Sequence, residues 1–144
     1  MTVSQERGDV RHRVLIVDDD PMFREVAGGI LSATGYDLVE AVDGVDGLDK
    51  VTACLPDVVL LDLMLPVLDG YQVFQALKVH PTAHRTPVIF VTASTETELS
   101  RLAQETDAFA CLHKPVRPAA LLATIELALL QAGRQGAGGS YHAN

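Results

Sequence analysis

The sequence predicts an α/β protein built on a single doubly wound, five-stranded parallel sheet, and three observations predict it. Five short β-rich apolar runs recur along the 144 residues, helical periodicities fill the gaps between them, and the first, third and fourth runs are apolar throughout. Strands alternating with helices form right-handed βαβ units, and strands without polar alternation are those covered on both faces. The runs are "VLIV" at 14–17, "LVEAV" at 38–42, "VVLL" at 58–61, "VIFV" at 88–91 and "AFACL" at 108–112. Each is of strand length and composition.

The helices follow in order. Asp20 offers an N-cap and Pro21 a first helical residue, after which Phe23, Val26, Ala27, Ile30 and Leu31 form one stripe at i, i+3, i+4, i+7 and i+8. Gly70, Val73, Phe74 and Leu77 repeat that spacing after the third strand, as do Pro118, Leu121, Leu122, Ile125 and Leu129 near the end. Weaker patterns surround Leu48 and Val51, and Leu99 and Leu102. The common doubly wound strand order, 2-1-3-4-5, is the expectation for such a chain.

With 48% hydrophobic residues the chain can bury a core, and one domain over residues 12–131 is expected, between flexible segments at 1–11 and "AGRQGAGGSYHAN" at 132–144. A net charge of −8 without clustered Lys or Arg argues against direct nucleic-acid binding. No apolar run approaches the ~18 residues that cross a bilayer, and the N-terminus does not resemble a signal peptide. Cys54 and Cys111 lack paired spacing and are read as buried thiols in a reducing compartment. A cytoplasmic protein without membrane contact is expected.

Ligands of doubly wound sheets bind beyond the carboxyl ends of the strands. Strand one ends at Asp18 and Asp19, strand three at Asp62, strand four at Thr92, and Lys114 follows strand five. Two carboxylates about 4 Å apart repel by roughly 4 kcal/mol at an effective dielectric near 20, so the acids need a compensating charge. Oxygen ligands of this kind suit Mg²⁺. A carboxylate can also attack phosphorus to form an acyl phosphate, with Mg²⁺, Lys114 and the Thr92 hydroxyl neutralising the transferred group. Asp20 is left to cap the helix.

Through "LIVDDDP", "DVVLLDLMLPVLDG", "VIFVTAS" and "HKPV", in that order over roughly residues 12–131, the chain resembles the receiver domain of two-component response regulators. The resemblance implies a (βα)5 flavodoxin-like fold with Asp62 as phosphoacceptor. It also implies Asp19 as direct Mg²⁺ ligand, Asp18 as a ligand mainly through water, and the Met64 backbone carbonyl as a further ligand. Thr92 would be the switch hydroxyl and Lys114 the phosphate-binding lysine, with a cis Lys114–Pro115 bond and Gly70 in the turn into the third helix. The donor implied is a phosphohistidine of a histidine kinase or a histidine phosphotransfer protein, since His12, His80, His84, His113 and His142 are scattered.

Cys111 departs from the pattern, standing three residues before the lysine where receivers usually carry Tyr or Phe; a thiol cannot swing a ring. Phe109 would share a strand face with Cys111 if the alternation holds, and is read as core. Asp107 replaces a usual glycine. Beyond Leu130 nothing resembles an output domain, so a stand-alone receiver signalling to a downstream protein is expected. Leu127 and Leu130 fall off the last stripe, which marks the face of helix four, strand five and helix five as a docking or dimer surface. The alternative is a phosphorylation-independent adaptor, favoured by Cys111. A phosphatase ranks last, because Met64 stands where a second acid would be needed.

Overall fold

The computed structural model describes residues 11–137. Its elements are β1 (Arg13–Val17), α1 (Pro21–Ala33), β2 (Asp37–Ala41), α2 (Gly44–Cys54), β3 (Val58–Leu61), α3 (Gly70–Lys78), β4 (Val88–Thr92), α4 (Glu96–Glu105), β5 (Ala110–His113) and α5 (Pro118–Ala137). All four strand pairings are parallel, in the order β2-β1-β3-β4-β5. This is the fold expected from the alternation of runs and stripes.

The period-2 geometry of a strand sends successive side chains to opposite layers. Leu15, Val17, Val59, Leu61 and Phe90 meet Val51, Val73, Phe74, Leu77 and Leu102 on the α2–α3–α4 side. Val14, Ile16, Val58, Leu60, Ile89 and Val91 meet Ala27, Leu31, Leu121 and Ile125 on the α1–α5 side. Every residue of β3 and β4 is therefore buried, whereas the edge strands β2 and β5 are mostly half-buried. Among the residues of α4 only Leu102 is buried, which explains its weak periodicity.

Some expectations change. Val26 lies on the stripe of α1 yet is 58% exposed, because Ala27 and Leu31 carry the contact with the sheet. The fifth strand begins at Ala110 rather than 108. Phe109 enters it with its amide donating to the Val88 carbonyl and packs in the α1–α5 layer, while Cys111 packs in the opposite one, so the two do not share a face. Both cysteines are half-buried rather than buried. The last helix continues past residue 131 to Ala137, into the stretch expected to be a flexible tail. The remainder of that stretch, with His142, and residues 1–10 lie outside the described residues.

Candidate functional site

Register builds the site. Val17 pairs with Leu61 across β1 and β3, so the next residue on each strand, Asp18 and Asp62, emerges at the same level of the sheet. The Asp18 amide donates to the Ala41 carbonyl and the Asp62 amide to Val17, which extends the ladder one step and fixes both Cα positions. Thr92 pairs with His113, and the Lys114 amide donates back to the Thr92 carbonyl at 2.9 Å. A cis Lys114–Pro115 bond then turns the chain toward α5.

Oxygen atoms of Asp18, Asp19 and Asp62 lie within 4.8 Å of one another. Asp18 and Asp62 are buried, at 1% and 6% exposure, and Asp19 is exposed. Lys114 Nζ donates to Asp18 Oδ2 at 2.7 Å and, at longer range, to Asp62 Oδ2 at 3.4 Å. The Asp20 amide donates to Asp18 Oδ1 at 2.9 Å and the Met64 amide to Asp62 Oδ1 at 3.2 Å. Asp20 itself caps α1, accepting from the Met22 amide, as expected.

Burial pushes the Asp18 carboxyl above its ordinary value, because the hydrogen bonds from Lys114 and the Asp20 amide offset only part of the desolvation and Asp62 adds a like charge. Burial also works against the Lys114 ammonium, but its hydrogen bond to Asp18 and the charges of Asp62 and Asp18 outweigh it and hold the group above its usual value. The asymmetry has a simple origin: the lysine meets two acids, whereas Asp18 meets one ammonium and another acid. Three carboxylates against one ammonium leave excess negative charge among oxygen donors only, a set that fits a hard cation such as Mg²⁺.

Thr92 is fully buried at the end of β4. Its hydroxyl lies 3.0 Å from that of Ser94, whose amide also donates to it, so it is engaged within its own loop rather than by the acids. Met64 turns its side chain outward, 64% exposed, and reaches the site through its backbone. Gly70 allows α3 to start against the site, since a Cβ there would strike the Asp62 carbonyl and come within 2.7 Å of Leu63 Cα. Burial raises the Cys111 thiol above its ordinary value, which disfavours the thiolate form.

Sequence reasoning missed Ser94, Arg24 and Phe23. Ser94 carried a signal, two residues after Thr92 in "VTAS". Arg24 had none: its guanidinium donates to the Asp18 carbonyl at 2.8 Å and to Glu40 at 3.2 Å, the second contact depending on where β2 lies. Phe23 was read only as part of a core stripe, yet Lys114 Nζ stands 4.4 Å from its ring centroid.

The family model for the response regulator receiver domain matches residues 14–126. The DNA-binding response regulator MtrA of Mycolicibacterium smegmatis is 36% identical over 120 residues, covering 83% of this chain and 51% of that protein. The DNA-binding dual master transcriptional regulator RpaA of Synechocystis is 41% identical over 81 residues, 56% of this chain and 34% of that protein. The chain thus spans about half or less of the length of these curated relatives. Among solved structures, the chemotaxis protein CheY4 of Vibrio cholerae superposes with a TM-score of 0.77 at 29% identity, over 83% of this chain and 100% of that one. A CheY-like receiver domain protein from Methanospirillum hungatei superposes with a TM-score of 0.78 at 30% identity, over 88% and 99%.

Proposed function

The chain belongs to the response regulator receiver domain family, and from that premise we propose that it accepts a phosphoryl group on Asp62 from a phosphohistidine donor and signals through phosphorylation-dependent protein contacts. The donor is a histidine kinase or a histidine phosphotransfer protein. The observation that carries this reading is the bridge made by Lys114 between two buried carboxylates of a three-acid cluster.

An Asp62 oxygen attacks phosphorus while the P–N bond to the donor imidazole breaks and its electron pair returns to nitrogen; the product is an acyl phosphate. Neither contact to the Asp62 oxygens is short, 3.2 Å from Met64 and 3.4 Å from Lys114, so the carboxylate is oriented without being tied down. Asp18, Asp19, Asp62 and the Met64 carbonyl would hold Mg²⁺, which when bound supplies positive charge for the transferring oxygens. Lys114 moves its weaker contact from Asp62 to the phosphoryl oxygens, keeping Asp18 as its anchor. The Thr92 hydroxyl leaves Ser94 for the new phosphoryl group, and this exchange of partners repositions the loop into α4. Attack by water on the acyl phosphate returns Asp62, so the chain works as a signalling phosphoacceptor with slow turnover of its own.

The receiver domain passes its signal on by contact with a downstream protein. Its output surface is the face of α4, β5 and α5, supported by the exposure of Leu127 and Leu130. Among the described residues no helix is long and apolar enough to cross a membrane.

Incubation with a small acyl phosphate and Mg²⁺, followed by intact mass, tests the reading. Wild type gains one phosphoryl group and Asp62→Asn gains none. A folded wild type that gains none favours a second reading, a phosphorylation-independent adaptor, for which the half-buried Cys111 in place of a mobile ring is the specific support.

A further inference from the structure

We propose that Phe23 is a positioning residue for Lys114, a role that rests on the reading of Lys114 as the group that meets the phosphoryl oxygens. Phe23 lies in the first turn of α1, whose start is set by the Asp20 cap and Pro21. Its ring packs against the α1–α5 core and presents a face to the ammonium, 4.4 Å from Nζ to the centroid. The Lys114 side chain is 16% exposed, so little water reaches that contact.

An ammonium has three donors. One makes a short bond to Asp18 at 2.7 Å and a second a long one to Asp62 at 3.4 Å. The ring covers the remaining side, and it attracts the charge without neutralising it. A carboxylate in that place would lock the lysine, and an aliphatic side chain would leave it free to swing into solvent. The aromatic face confines Nζ to the arc between Asp18 and Asp62 while allowing it to slide toward new negative charge, because attraction to a ring face is weakly directional within it.

Phe23→Leu keeps the apolar packing and removes the ring. Phosphorylation of Asp62 by a small acyl phosphate with Mg²⁺ should slow about tenfold, equivalent to ~1.4 kcal/mol, and Phe23→Tyr should restore the rate to within about twofold of wild type. In unphosphorylated wild type the Lys114 ε-methylene protons should show an upfield ring-current shift by NMR, absent in the leucine variant and kept in the tyrosine variant. A leucine variant that transfers at the wild-type rate, a tyrosine variant no faster than leucine, or an unshifted Lys114 signal in wild type overturns the proposal. Wild type that takes no phosphoryl group would defeat the reading beneath it, whereas the NMR shift still reports the contact itself.

Discussion

Asp18 and Asp19 are neighbours in the chain with opposite surroundings, one buried and bonded to Lys114, the other exposed and without a cation within salt-bridge range among the described residues. Their different surroundings follow from strand geometry, since successive residues leave a strand end on opposite sides. Mg²⁺ should therefore raise the thermal unfolding midpoint saturably, by an amount equivalent to ~2.7 kcal/mol at a hundred times its dissociation constant. Asp19→Asn should abolish that gain, yet leave the metal-free protein at least as stable, because one of three mutually repelling charges is gone. Scanning calorimetry with and without chelator checks both outcomes. Lys114→Ala should instead destabilise the metal-free protein by about 3 kcal/mol, since it leaves two buried acids without their counter-charge; urea titration measures it.

Helix starts decide how the loops around the site are held. Asp43 caps α2 by accepting from the Asp46 amide, and the Asp46 carboxylate accepts from Val42 at 3.0 Å and pairs with Lys50. The hydrogen bond from Val42 is the main reason the Asp46 carboxyl lies below its ordinary 3.8. A depressed folded value means that protons prefer the unfolded chain, so the contribution is complete above the ordinary value and disappears as pH falls through the folded one. Asp46→Ala should cost about 1 kcal/mol at pH 7, and that cost should shrink on acidification; denaturant midpoints at neutral pH and near pH 3 decide it. At α3 the Asp69–Gln72 capping box sets the helix start, and Gly70 lets it press on the Asp62 backbone. Gly70→Ala should lower stability by roughly 3 kcal/mol, the scale of a severe core clash, and displace the Asp62 carboxylate. Loss of the phosphoryl mass gain in a folded sample would register that displacement. Sequence reasoning named a cap only at Asp20, although an Asp ahead of each of these helices, at 43 and 69, was there to be read. The collision behind Gly70 was not, because it depends on how closely α3 approaches the end of β3.

Two apolar layers on one sheet hold the whole molecule together, and their contrast with the surface is testable. Leu60 lies on the α1–α5 side at 1% exposure, so Leu60→Ala should cost about 3 kcal/mol, whereas Leu127→Ser, at 57% exposure, should change stability by less than ~0.5 kcal/mol. Thermal or urea unfolding separates the two. The apolar central strands, the cap at Asp20 and the candidate acids were legible, since each depends on local pattern: periodicity, an aspartate ending a run, a proline after a cap; strand order was expected only as the common order of such sheets. What the sequence by itself determined is which strands are buried on both faces and which side chains stand at their carboxyl ends, because alternation and chain direction follow from the backbone alone. Only the tertiary structure decided that Phe109 and Cys111 part to opposite layers, that Arg24 reaches the Asp18 carbonyl, and that the Phe23 ring covers Lys114. Those contacts join residues from separate elements, and their distances depend on register and packing between elements, which no local pattern encodes.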